Sequence, residues 1–171
     1  MNEKNTKCNS VSPSDQLSAL NWLTKAIVLD CRGRHNEAQV RYRKALELDP
    51  YEKGIWDRKG RSLTWLGRYE EALGCFDRAI ELGAQDADIW VGRGISLHAL
   101  LRNDEAMACF GEALERNARC EMAWYHKAIV EEELNLREEA VRSYQQVLAL
   151  SSPRIAELVE HARQRLQEMG E

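Results

Sequence analysis

The apolar positions of this chain recur at a fixed interval. Trp22, Trp56, Trp90 and Trp124 lie 34 residues apart from one to the next. Starting each unit three residues before its tryptophan divides the chain into 19–52, 53–86, 87–120 and 121–154, without insertions. Small residues hold the eighth position (Ala26, Gly60, Gly94, Ala128) and the twentieth (Ala38, Ala72, Ala106, Ala140). Aromatic residues hold the twenty-fourth (Tyr42, Phe76, Phe110, Tyr144), and Ala45, Ala79, Ala113 and Val147 the twenty-seventh. Small residues let two helix backbones approach, and aromatics fill the space between them. A period of 34 residues is that of a stacked helix–turn–helix unit. The pattern predicts an all-α chain whose core lies between neighbouring units.

The helix ends carry their own signals. Ser12 suits an N-cap, Pro13 the first helical position, and Asp15 the positive end of the helix. The first helix is predicted to run to about Arg32, where Gly33 can take the left-handed conformation that ends it. Gly67 and Asn135 suit the matching turn of the second and fourth units. The third unit has Leu101 there, which predicts a local adjustment at Leu101-Arg102-Asn103. Second helices are predicted near 35–48, 69–82, 103–116 and 137–150. Each carries a glutamate in its first turn (Glu37, Glu71, Glu105, Glu139), where the dipole favours negative charge. After Ser151-Ser152-Pro153, Ile155, Leu158, Val159, Ala162 and Leu166 form an apolar stripe backed by Glu157, Glu160, Arg163, Gln164 and Gln167. A capping helix over 154–169 is expected, because the end of a stacked array exposes an apolar face. A partner-binding tail is the other reading of that helix. Residues 1–12 are polar and aperiodic and read as a disordered tail, which leaves one domain over 13–169.

The order Trp, Gly or Ala, Ala, aromatic, Ala resembles the signature of tetratricopeptide repeat proteins. The resemblance covers 19–154 and is carried by packing residues. It implies a right-handed superhelical α-solenoid of four repeats with a C-terminal capping helix. Two departures stand out. The closing proline is present only as Pro50, with Pro153 one place late. The seventh position, usually Leu in the family, is Lys25, Lys59, Arg93 and Lys127.

Composition narrows the function. The net charge of −4 lacks the basic excess of a general nucleic-acid binder. No apolar run approaches the ~18 residues of a membrane span, and no signal-peptide stretch opens the chain. A soluble cytoplasmic protein is expected. Cys8, Cys31, Cys75, Cys109 and Cys120 show neither CxxC nor zinc spacing. Cys75 and Cys109 share one repeat position beside the core aromatic and read as small buried hydrophobes in a reducing compartment.

The family resemblance implies that the first helix of each repeat lines a concave groove. Residues expected there are Leu23, Ile27, Arg58, Arg61, Trp65, Val91, Ile95, His98, Tyr125, His126, Ile129 and Glu132. The fifth and ninth positions of three repeats (Leu23, Ile27, Val91, Ile95, Tyr125, Ile129) form an apolar strip, which a monomer rarely leaves in water. A partner segment with apolar anchors would cover it; the chain's own tail or cap is the bland alternative. Trp65 is the one tryptophan outside the 34-residue series. With Arg58 and Arg61 it reads as a binding hot spot, or else as filler between helices.

Other chemistry finds less support. The two-carboxylate clamp of chaperone-tail binders in this family needs Lys, Asn and Arg at set groove positions. This chain offers Leu23, Ile27, Asp57, Arg58, Asp88 and Gly92 there, so that clamp is not expected. The Lys25, Lys59, Arg93 and Lys127 series reads as stems covering apolar surface, with charges that reach water or pair with acids such as the recurring glutamates. A ladder for an acidic partner is the other reading. His98 and His126 with Glu132 could in principle hold a metal, but no HExxH-type motif, phosphate loop or nucleophile elbow is present. No cofactor is expected. The reading is a non-catalytic scaffold that binds a protein or peptide segment. Self-association as a homo-oligomer is the main rival and a metal-assisted enzyme a remote one.

Overall fold

The computed structural model describes residues 11–150 and 155–170. Over these the chain forms nine α-helices and no strand: α1 (Pro13–Cys31), α2 (His35–Leu48), α3 (Lys53–Trp65), α4 (Tyr69–Glu81), α5 (Ala87–Ala99), α6 (Asn103–Arg116), α7 (Glu121–Glu133), α8 (Arg137–Leu150) and α9 (Ala156–Glu168). Most of the expected tail, and Pro153, lie outside the described residues. The N-cap at Ser12 forms: its hydroxyl accepts from the Asp15 backbone N–H at 3.1 Å.

Each odd-numbered helix through α7 packs most extensively on the next, and each pair then packs on the following pair. The first helices also touch one another in series, α1 with α3, α3 with α5 and α5 with α7, while no two second helices meet as extensively. Closer spacing on the first-helix side makes that side the concave one. The repeat code forms the core, with the four twenty-fourth-position aromatics at most 1% exposed. The inner repeats are packed tightest. A Cβ added to Gly60 or Gly92 would come within 2.9 or 2.7 Å of the Phe76 ring, and one on Gly94 within 2.5 Å of Phe110. Gly is therefore required beside Phe, whereas Ala26 and Ala128 are accommodated in the repeats that carry Tyr.

The turn at Leu101 corrects the sequence expectation. No adjustment occurs: Leu101 takes φ +60°, alongside Gly33 and Gly67 at +71° and Asn135 at +59°. The third turn closes like the other three, with Leu101 N–H on the His98 carbonyl at 2.8 Å and Arg102 N–H on Leu97 at 2.9 Å. Two backbone bonds and the flanking helices outweigh a strain of about 1–2 kcal/mol.

The recurring glutamates find partners close by in sequence. Glu37, Glu71 and Glu105 pair with Arg34, Arg68 and Arg102 three residues earlier, not with the Lys25 series. That series lies over the tryptophans instead: Lys25 Nζ is 4.6 Å from the Trp22 ring centre, Lys59 5.3 Å from Trp56 and Lys127 5.6 Å from Trp124. Arg93 pairs with Asp77 at 2.8 Å, and Arg116 takes its place over Trp90. The basic positions are thus engaged within the chain, with Lys127 also paired to Glu131. Trp56 and Trp124 donate to the Pro50 and Ala118 carbonyls of the preceding linker. Trp90 finds no protein acceptor among the described residues; its linker turns through Gly83 at φ +83° and so differs in path.

At the C-terminal end Ile155, Ala162 and Leu166 bury against Ala128, Tyr144 and Val147. α9 therefore covers the apolar face of the fourth repeat.

Candidate functional site

Among the described residues a pocket opens toward each end of the concave side, and each is built around a repeat that carries tyrosine. The N-terminal pocket, of about 210 Å³, is lined by Ile27, Asp30, Cys31, His35, Tyr42, Arg58, Arg61, Ser62 and Trp65. Asp30 is its hub. Its carboxylate accepts from the Tyr42 hydroxyl at 2.6 Å and the Ser62 hydroxyl at 2.8 Å, and meets His35 Nδ1 at 2.9 Å. Burial, and then Asp30, pushes the Tyr42 phenol well above its ordinary range. The His35 ring lies parallel to Trp65, with centres 6.2 Å apart and 4° between planes. Trp65 is 79% exposed, so it is no filler between helices. Arg61 pairs with Asp57 at 2.8 Å and Asp88 at 3.6 Å. Burial works against its charge, but the two carboxylates outweigh that and raise its pKa. Arg58 is exposed and has no carboxylate partner among the described residues.

The C-terminal pocket, of about 380 Å³, is lined by Tyr125, Ile129, Glu132, Glu133, Tyr144 and His161. Glu132 occupies the repeat position of Asp30 and likewise accepts from the repeat's tyrosine, Tyr144, at 3.1 Å. It also forms an ion pair with Arg165 of α9, while Tyr125 meets His161 of the same helix at 3.2 Å. Burial, with Tyr125 and Glu131 nearby, pushes Tyr144 up to about 12. Glu133 pairs with His98 at 2.9 Å. His126 lies against Phe110 and Tyr125, and burial, helped by His98, lowers its pKa to about 4.

The predicted residues are therefore divided. Ile27, Arg58, Arg61 and Trp65 meet at one end, and Tyr125, Ile129 and Glu132 at the other. The continuous apolar strip does not survive as an open surface. Val91 is only 5% exposed, packed with Ala113, Cys120 and Ala123, and Ile95 packs on the same cluster. Leu23 packs on the first repeat's core. The start of the fourth repeat covers the third, so these side chains join repeats instead of offering anchors. His98 and His126 are engaged as described, and among the described residues no group of three or more His, Cys, Asp or Glu is placed to hold a metal.

His35 and His161 were among the members missed. His35 stands at the start of a second helix, outside the groove positions implied by the resemblance, and His161 is on the cap. A signal for the hubs was present in the sequence. An acid stands at the twelfth position where the twenty-fourth is Tyr (Asp30 with Tyr42, Glu132 with Tyr144), and Thr64 or His98 where it is Phe. A buried phenol needs an acceptor and a phenyl ring does not.

A stacked helical array with a first-helix groove defines a repeat scaffold of the kind that supports protein–protein interaction. The chain belongs to the tetratricopeptide repeat family, whose model matches residues 58–108 and 92–155, together more than half of the chain. No curated protein matches it in sequence. Among solved structures it is similar to the thermophilic tetratricopeptide repeat protein TTC0263 of Thermus thermophilus, at 20% identity and TM-score 0.75, covering 86% of this chain and 82% of that one. MamA from Desulfovibrio magneticus RS-1 is similar at 16% identity and TM-score 0.72, over 90% and 84% of the two chains. The first tetratricopeptide repeat domain of Spaghetti (RPAP3), solved with the HSP90 peptide SRMEEVD, is similar at 21% identity and TM-score 0.68, over 70% and 95%. At these identities the likeness is one of fold.

Proposed function

We propose that this protein is a non-catalytic scaffold that holds a segment of a partner protein in its concave groove, anchored at the N-terminal pocket. The observation that carries this reading is Trp65: a tryptophan outside the packing code, 79% exposed, above a pocket and stacked on a fixed histidine. Exposed Trp beside Arg is the composition of binding hot spots. The similar domain solved with a bound peptide supports a peptide-binding mode for this fold. Buried, unpaired Cys75, Cys109 and Cys120 fit a reducing compartment, the cytoplasm. No helix of the described residues is long and apolar enough to cross a membrane.

A photoreactive residue in place of Trp65, compared with one on the convex face at Gly74, tests the groove. Crosslinking of one discrete protein from the native cell at Trp65 alone, lost with Ile27→Asp at unchanged melting temperature, is the expected result. Equal labelling from both faces would sink the reading. A second reading, self-association, draws on α1, which exposes Leu17, Leu20 and Val28. Sedimentation over a wide concentration range decides it: an unchanging monomer removes that reading.

A further inference from the structure

Resting on the groove reading, the geometry points to a defined chemistry for the bound segment: an apolar or aromatic side chain next to an Asp or Glu, within the chain of the partner and not at its terminus. The apolar group sits on Ile27 beside Trp65, and the carboxylate pairs with Arg58.

Four observations lead there. The first is size. A pocket of about 210 Å³ holds one large side chain, whereas sites for drug-sized ligands run to roughly 300–1,000 Å³. The second is which polar groups remain unused. Asp30 already has three partners, and Arg61 is neutralised by Asp57 and Asp88. What is left is the indole face of Trp65, the aliphatic floor at Ile27, and the guanidinium of Arg58. An exposed guanidinium with no carboxylate partner among the described residues recognises a carboxylate through two parallel N–H donors. The third is preorganisation. Asp30 holds His35, and His35 lies parallel to Trp65, so the indole loses little freedom on binding. The fourth is the other end of the groove, where the same repeat position already joins a carboxylate, Glu132, to a guanidinium supplied by a helix, Arg165 of α9. At the N-terminal end Asp30 already has its partners, and the charge left without one among the described residues is Arg58, at a different repeat position.

A terminal carboxylate is disfavoured because the convergent donors it needs are absent: Arg61 is occupied, and Leu23, Asp57 and Gly92 stand at the other positions. A single-stranded nucleic acid could also stack on Trp65, but it needs a track of several cations. Arg58 alone does not provide it, since Arg61 is held by Asp57 and Asp88.

The test uses the full chain and short peptides acetylated and amidated at their ends, with a central Phe-Glu, Phe-Gln or Phe-Lys pair in a Gly/Ser background. Binding is read from the Trp65 indole N–H resonance, assigned by its loss in Trp65→Phe. The Phe-Glu peptide is expected to bind at least about fivefold more tightly than Phe-Gln, and Phe-Lys not measurably. Arg58→Glu, an exposed change, should reverse that order while leaving the melting temperature unchanged. Equal affinity for the Glu and Gln peptides, or an unaltered order in Arg58→Glu, overturns the inference; so does tighter binding of a thymidine oligonucleotide at physiological salt. If Arg58→Glu changes nothing while Ile27→Asp still abolishes crosslinking from the Trp65 position, the groove reading stands and the acidic-segment inference falls. If neither change matters, both fall.

Discussion

The two ends of the groove are made from the same parts and left in opposite states. At the N-terminal end an acid, Asp30, meets a tyrosine, Tyr42, and the pocket rim carries an exposed tryptophan and an arginine with no carboxylate partner among the described residues. At the C-terminal end an acid, Glu132, meets a tyrosine, Tyr144, but α9 lies over the rim, placing Arg165 on the acid and His161 on Tyr125. One end shows what a docked helix does for this surface; the other presents the surface without it. In the inner repeats Thr64 and His98 stand at the position of the acid, and Phe76 and Phe110 lie tight against glycine.

The largest expected effect sets the two ends directly against each other. Leu166→Ala in α9 removes a side chain that is 6% exposed and leaves a void against Tyr144 and Val147. It should cost about 3 kcal/mol of unfolding free energy. Trp65→Ala at the open end should cost less than about 0.5 kcal/mol, although the side chain is larger, because it is bare to solvent. Urea unfolding of both variants checks the contrast. Comparable losses would mean that Trp65 belongs to the core and that the ends do not differ.

A smaller effect separates inner from outer repeats. In the third repeat, Gly94→Ala drives a methyl to within 2.5 Å of a buried Phe110 ring. Overpacking of this kind costs about 2 kcal/mol, only partly offset by the better helix propensity of alanine. The same step taken backward in the fourth repeat, Ala128→Gly, loses a methyl and helix propensity for about 1 kcal/mol. Thermal melts of the two variants should fall in that order. A stabilised Gly94→Ala would show that the ring has room to move and that glycine is not demanded by phenylalanine.

The sequence carried the fold because its code is made of positions where packing permits few residue types. Tyr42, Phe76, Phe110 and Tyr144 can be read in phase, and the helix ends follow from Ser12, Gly33 and Gly67. Leu101 misled because a side chain's local cost was weighed without the two backbone bonds that close the turn. The groove was less legible. A fifth-position residue can be open or covered, and what decides is the twist to the following repeat, which the sequence does not print. Leu23 and Val91 are equivalent by number, yet Val91 lies under Cys120 and Ala123. Trp65 could be found because it breaks the code. His35 could not, because it reaches the groove from the start of a second helix, by way of Asp30.

The smallest prediction asks whether the acid–tyrosine pairing is a unit. In the second repeat the corresponding residues are Thr64 and Phe76, and Thr64 bonds the Ser96 hydroxyl at 3.0 Å just as Asp30 bonds Ser62. Tyr42→Phe alone removes one donor from Asp30 and should cost about 1 kcal/mol. Asp30→Thr alone leaves the Tyr42 phenol without its acceptor and should cost roughly 2 kcal/mol. Together the two changes copy the inner repeat, so no buried phenol is stranded and a hydroxyl remains to meet Ser62. The double variant should therefore lose less than the sum of the singles, by about 1 kcal/mol in a double-mutant cycle from denaturant unfolding. His35 still loses its carboxylate in the double variant, so its ring is freed and the Trp65 resonance should broaden or shift even where stability is largely kept. Strict additivity would show that Tyr42 and Asp30 act independently. The open end would then owe its order to His35 and Ser62 alone.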